Sequence, residues 1–369
     1  MAGQGQVRSG RLDRTALAWG LGAVAVAIAL VVLGSAGLSW FDAALVGYLF
    51  GTLFAIFGTV YRYVVWTQRP PTRRLNRRGW QAMLDRQKRT TNVASLPLLI
   101  VERLFLQDFI RQRSPLRWAA HQLIFWGCIL AALVTFPLVF GWLHFESVGQ
   151  TAREYRMVVA NLDTPLTFDS RGLFGWIVIH ALDISAVLVL AGVFIFLARR
   201  LRDPGAMALE RSGDFLPLAG LFAVSVTGLM LTASNLWLDG RFYTFITTVH
   251  ALTVILGLMY IPFGKLFHIF QRPGNLGVTY YKRAGGPRAT CTECGNAWAS
   301  QLQVDDLKDI LPELGFDYAI PATAPSAPNV GVASGTHAPH GNGNYQDICP
   351  PCRRRLVTLA QSRRVGGFG

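Results

Sequence analysis

The chain has 369 residues, of which 51% are hydrophobic and only 15% charged, and its mean hydropathy is +0.34. That balance excludes an ordinary water-soluble globule and a disordered chain, and points to a membrane protein. A formal net charge of +14 would suit a nucleic-acid partner, but the placement of the charges removes the need for one.

Six runs reach the ~20 apolar residues that a hydrocarbon core requires: residues 15–38, 41–66, 118–141, 173–198, 215–236 and 243–270. The first follows Arg8, Arg11 and Arg14 and is too long for the apolar core of a cleaved signal peptide, so it reads as a retained signal-anchor. With the N-terminus in the cytoplasm, the arginine-rich segments "TQRPPTRRLNRRGWQAMLDRQKRT" and "ARRLRDPGAMALERSGD" and the tail from "QRPGNLGVTYYKRAGGPR" all fall on the cytoplasmic side. The outer loops at 142–172 and 237–242 mix Arg with Glu and Asp, so the positive-inside rule holds across all six spans.

The expected fold is therefore an all-α membrane bundle of six transmembrane helices with a small cytoplasmic module at its C-terminus. Its divisions are two N-terminal spans (1–66), a basic, amphipathic cytoplasmic loop (67–117), a four-helix core (118–270) and a tail (271–369). Within the loop, "LPLLIVERLFLQDFIRQRSPLRW" suits a helix lying at the membrane interface or one docking a cytoplasmic partner. In the tail, "VDDLKDILPELG" is a helical candidate, while "PATAPSAPNVGVASGTHAPHGNGN" is too poor in large apolar residues to pack a core.

His250 and His268 mark the two ends of "HALTVILGLMYIPFGKLFH". On one continuous helix they share a face and stand about 27 Å apart, too far to share a metal but suited to two haems at different depths. Electron-transfer haem iron takes a second axial ligand. By depth, His121 pairs with His268 on the cytoplasmic side and His180 with His250 on the outer side, with His144 in reserve. Each of these histidines could instead bond to a neighbouring helix or sit in the interface. Asp183, one turn after His180, could orient that ring or relay a proton, and Lys265 and Arg117 could neutralise haem propionates or snorkel to headgroups.

The segments "RWAAHQLIFWGCIL" and "VHALTVILGLMYIPFGKLFH" resemble the membrane cytochrome b family that includes the gamma subunit of respiratory nitrate reductase and its relatives in heterodisulfide-reductase-type and sulfite-reduction-linked complexes. That resemblance spans roughly residues 118–270 and implies two haems b held between helices, with His250 and His268 matching the family's spacing and His121 its cytoplasmic-side ligand. The family's second histidine on the earlier helix is replaced by Ala131, which is why His180 is invoked.

Cys128 stands alone in the third span and reads as a packing residue. Cys291, Cys294, Cys349 and Cys352 form two C-x2-C knuckles able to close a tetrahedral site around zinc or, in a rubredoxin-like manner, iron. A disulfide pairing competes, but a cytoplasmic tail keeps its thiols reduced. His337 and His340 lie in the low-complexity linker and are read as non-ligands.

These readings converge on a dihaem cytochrome b subunit of a bacterial inner membrane, with both termini cytoplasmic. It would transfer electrons between quinone and a cytoplasmic iron-sulfur or molybdenum oxidoreductase, without catalysing group transfer itself. A secondary transporter or a non-haem anchor, with the histidines as proton-relay or packing groups, is the alternative.

Overall fold

The computed structural model describes residues 12–149, 153–202, 215–283, 286–320 and 343–364. Arg8 and Arg11, residues 203–214 and residues 321–342 of the expected linker, with His337 and His340, lie outside the described residues. The chain divides into two compact units: residues 12–65 with 97–273, and residues 66–96 with 274–369.

The first unit holds six helices long and apolar enough to cross a membrane: Arg14–Gly34 (α1), Ala43–Gln68, whose α-helical part is Val46–Gln68 (α2), Pro115–Val139 (α6), Ala181–Arg202 (α8), Leu216–Trp237 (α9) and Tyr243–Tyr260 (α10). Asp13 caps α1 by accepting the Ala16 N–H at 3.0 Å, and Ser114 caps α6 ahead of Pro115, whose missing N–H costs nothing at a helix start. Between α2 and α6 the chain forms Thr72–Met83 (α3), Arg89–Ile100 (α4), a π-helical turn Val101–Phe105 and the short Asp108–Arg111 (α5). The segment expected as an interfacial or docking helix is thus not one helix. Left-handed Gln107 and extended Ser114 interrupt it.

These helices invert the usual pattern of burial. Small residues such as Ala16, Gly51, Ala120, Gly127, Ser185 and Ser234 are buried, while Leu33 is 74% and Leu133 67% exposed. α6 packs on α8, α8 on α9 and α9 on α10. The α6–α8 contact is close at both ends: a Cβ at Gly127 would lie 2.9 Å from the Ser185 carbonyl oxygen, and one at Gly192 only 2.6 Å from that of Ala120. α2 meets α10 similarly, with Gly51 against Ile255 and Leu258, and Gly58 lies against Pro262 just beyond the end of α10.

Two expected spans are broken. The fourth run divides at His180, whose backbone (φ −96°, ψ 13°) leaves the helical region, into Leu173–Ile179 (α7) and α8, and the Trp176 carbonyl accepts the ring Nδ1–H of His180 (3.0 Å) beside its backbone N–H. The sixth run ends at Tyr260. Pro262 has no N–H for the Leu258 carbonyl, which Ile261 takes instead, and the Phe263 and Gly264 N–H groups both close on Tyr260. A 3-10 turn, Lys265–Phe267, then leads into His268–Arg283 (α11).

The segment expected as an outer loop contains an antiparallel sheet of Leu143–Val148 (β1), Glu154–Val159 (β2) and Leu162–Asp169 (β3), with β2 central. His144 faces Val158 in register, and Phe145, Tyr155, Phe168 and Phe174 form an aromatic cluster. Alternating residues such as "LHFESV" and "EYRMVV" carry this signal, but the hydropathy of the flanking spans masks it.

The second unit joins the first half of the basic segment to the tail. It contains α3, most of α4, the later part of α11, a hairpin of Arg288–Thr290 (β4) and Ala297–Ser300 (β5), Gln301–Glu313 (α12), the paired Ala319–Ile320 (β6) and Gly343–Asn344 (β7), and Pro350–Arg364 (α13). Asp306 of α12 is buried. It accepts hydrogen bonds from Arg78 Nε and Nη2 (both 3.1 Å) and from the Tyr281 hydroxyl (2.7 Å), with Arg74 at 3.4 Å reaching on to Asp309 at 2.7 Å. Gly79 lies against the Gly277 backbone, and Tyr280 donates to the Asn92 carbonyl at 2.9 Å. Residues 66–96 of the 67–117 segment thus cluster with the tail, and its remainder with the first unit.

Candidate functional site

In the first unit, Ser114 and Pro115 fix the start of α6 and so place His121 in its second turn, while His268 opens α11 after the break. Their ring centroids are 6.4 Å apart and their planes cross at 74°. Among the described residues this is the one pair of histidine rings in mutual contact. His268 Nδ1 lies 2.6 Å from the Lys265 carbonyl, which can only accept, so Nδ1 carries the proton and Nε2 keeps a free lone pair. The Nδ1 of His121 is buried without a hydrogen-bond partner. A single ion bound by both rings, with nitrogen bonds of about 2 Å on each side, would set the centroids on the order of 6 Å apart.

One cation acts directly on this pair. Arg272, one turn beyond His268, lies 4.5 Å over the Phe109 ring and close enough to His121 to act on it electrostatically. Arg62 stacks at 4.2 Å over buried Phe267 and donates to the Pro262 carbonyl, bracing the break that presents His268. Lys265 contributes the carbonyl that orients the imidazole, and the Arg117 N–H is used in the Ser114 cap.

The other three histidines are held separately. His180 stacks on Trp176 at 4.7 Å, with Nδ1 on the Trp176 carbonyl. His250 on α10 places Nδ1 2.9 Å from the Thr227 hydroxyl of α9. Asp183 accepts from Thr232 at 2.7 Å, so its hydrogen bond goes to α9 and the imidazole of His180 is oriented by Trp176 instead. His144 stacks on Trp40 at 4.0 Å, and its Nε2 is 3.6 Å from Glu146, while both ring nitrogens are buried without a hydrogen bond. The structure thus brings His121 to His268, and leaves His180 and His250 each bonded to its own neighbour. Because the helix breaks at 261–264, His250 and His268 do not share one helical face.

In the second unit the sulfurs of Cys291, Cys294, Cys349 and Cys352 all lie within 4.8 Å of one another, and none is in a disulfide. Left-handed Gly295 (φ +70°) folds the first knuckle, returning its N–H to the Cys291 carbonyl at 2.9 Å. The second knuckle lies where the Tyr345–Asp347 turn meets α13 and is tied to the first by the Thr292 N–H on the Asp347 carbonyl (3.1 Å). The Cys349 N–H donates to Cys291 Sγ at 3.1 Å. Burial pushes the Cys291 thiol up, but the N–H groups of Cys349, Cys294 and Glu293 outweigh it and bring it down to about 7. Cys352 is pushed up to about 12 by burial and by the neighbouring sulfurs, so four thiolates can coexist here only around a cation. Metal–sulfur bonds of about 2.3 Å in a tetrahedron separate the sulfurs by about 3.8 Å, and Cys294 and Cys349 stand 3.8 Å apart. The set fits a metal such as zinc or iron.

Polar and aromatic contacts brace the second knuckle, while Cys294 of the first stays exposed. Arg353 donates to the Ile348 and Gln346 carbonyls at 2.6 and 3.1 Å and lies against the Trp298 and Tyr345 rings, and Lys308 pairs with Asp347 at 2.6 Å. Comparison with family models, curated proteins and solved structures found no match.

Proposed function

We propose that this chain is the membrane cytochrome b subunit of a quinone-linked oxidoreductase, holding two haems b and passing electrons between quinone and a cytoplasmic iron-sulfur or molybdenum partner. The observation that carries the reading is the His121–His268 pair, whose 6.4 Å centroid separation suits a shared ion, with one tautomer already fixed and the other ring's Nδ1 unbonded. His180 and His250 would hold the second haem. Each has Nδ1 engaged by an oxygen, which leaves Nε2 available as a ligand atom.

Haem iron supplies one-electron transfer at a potential set by its axial ligands and surroundings. The chain's own residues orient the imidazoles, and Arg272 offers positive charge where haem carboxylates would lie. Apolar outward faces over small, buried contact residues support insertion of the six helices in a membrane, here a bacterial inner membrane with both ends cytoplasmic. In the tail, four sulfurs converging from two knuckles favour a structural zinc over a redox iron, and the module would clamp the soluble partner.

The test is an optical spectrum of the purified chain. Dithionite reduction is expected to give a b-type signal from two haems per chain. His121→Ala and His268→Ala should each remove the same haem, and His180→Ala and His250→Ala the other. Colourless protein overturns the proposal. A His180→Ala variant that keeps both haems, beside a His144→Ala variant lacking one, would move that ligand to His144.

A further inference from the structure

α9 carries no histidine, yet it makes the polar contact to His250. Thr227 Oγ1 lies 2.7 Å from the Ala223 carbonyl, 3.2 Å from that of Val224 and 2.9 Å from His250 Nδ1. A hydroxyl has one proton, and both carbonyls can only accept it. With that proton directed to its own helix, Thr227 offers His250 a lone pair, and the Val224 carbonyl facing the ring favours a hydrogen on Nδ1 as well. Nε2 is then the bare nitrogen.

The neighbouring residue fixes where that nitrogen lies. A Cβ at Gly228 would stand 3.4 Å from His250 Cε1 and 3.9 Å from Nδ1, with Nε2 beyond 4 Å, so the Nδ1–Cε1 edge of the ring runs along the α9 backbone. His180 and His268 reach the same tautomer through backbone carbonyls of their own segments, Trp176 and Lys265, which no side-chain change removes. At His250 the hydrogen bonds come from another helix: the Thr227 side chain meets Nδ1 beside the Val224 backbone carbonyl, and only the first can be removed by substitution.

We infer that Thr227 is the positioning residue of His250, selecting the tautomer whose Nε2 can bind iron and strengthening that nitrogen as a donor. This rests on the haem reading above. A stronger imidazole donor favours ferric over ferrous iron, so losing the Nδ1 hydrogen bond should raise the potential of the haem that His250 holds.

The experiment is a redox titration of full-length wild type, Thr227→Val and Thr227→Ser, followed optically, with ferric-state electron paramagnetic resonance alongside. Thr227→Val nearly preserves volume but cannot accept, whereas Thr227→Ser can. Thr227→Val is expected to shift the ferric-to-ferrous equilibrium of one haem by up to about tenfold, roughly 59 mV for a one-electron couple. The other potential should stay at its wild-type value, and Thr227→Ser should restore both. Loss of one haem in Thr227→Val with retention in Thr227→Ser supports the same assignment. Haem-replete Thr227→Val protein with both potentials and resonance signals unchanged overturns the inference alone, as does Thr227→Ser behaving like Thr227→Val. Wild-type protein without haem overturns the haem reading, and the inference with it.

Discussion

Between α6 and α8 the contact is made by Ala120, Gly127, Ser185 and Gly192, where backbone nearly touches backbone. Between α3 and α12 it is made by Arg74, Arg78 and a buried aspartate that also receives a tyrosine hydroxyl. The difference follows from the solvent each set of contacts suits. In lipid, apolar side chains gain nothing by leaving the tails, so helices associate through close van der Waals approach, and small residues permit it. In water, a small unit gains little from its limited core, and directional polar contacts, with a cysteine set able to hold a metal, supplement it.

The largest effect expected from testing that contrast is at the cysteines. Cys291→Ser with Cys294→Ser should abolish a contribution on the order of 10 kcal/mol to the folding of the polar unit. Metal analysis should fall from one zinc per chain to none, and proteolysis should cut within 286–364, while the haem spectrum is retained and the soluble partner is lost on purification. A coloured iron site that cycles with the haems would make the tail an electron carrier and end the clamp idea.

A smaller effect of opposite location is expected from Gly192→Val. The new Cβ would meet the Ala120 carbonyl at 2.6 Å, forcing α6 from α8 at a cost of about 1–3 kcal/mol. Thermal loss of the haem spectrum should move to lower temperature while zinc content holds. Equal damage to both readouts would show that the two units do not fold by separate rules.

The smallest effect sharpens the polar side alone. Burial first, and then the Asp306 carboxylate, raise the Tyr281 hydroxyl above its ordinary value of 10.0, so the neutral phenol is the form the fold prefers. Its contribution is complete below about pH 10 and declines as pH rises through the elevated value. Tyr281→Phe should cost about 1.5–3 kcal/mol at neutral pH, as for a hydrogen bond to a charged group. In denaturant melts of the polar unit, the gap between variant and wild type should shrink above pH 10. A pH-independent gap would mean that the hydroxyl is not what matters.

Features with a local period were legible in the sequence. Apolar runs of span length gave six helices, and the C-x2-C spacing gave four sulfurs able to converge, because a tight knuckle needs few residues. The expected pairing of His121 with His268 rested on counting depth from helix ends, and the two rings do meet. The breaks at His180 and Pro262 were hidden by unbroken hydropathy, which measures solvent preference and not hydrogen-bond continuity. The Arg78–Asp306 and Thr227–His250 contacts join residues far apart in the chain, and each residue alone resembles any surface charge or helix hydroxyl.

The break at Pro262 has a consequence for how this chain tolerates change. In a continuous helix one inserted residue rotates everything beyond it by about 100°, so the two rings would have to be rephased together. Here the N–H groups of Phe263 and Gly264 both fold back on Tyr260, and the Lys265 carbonyl orients His268 afresh. Rotational phase is therefore reset between the two imidazoles, and a length change within 251–259 would swing His268 less than an unbroken helix dictates.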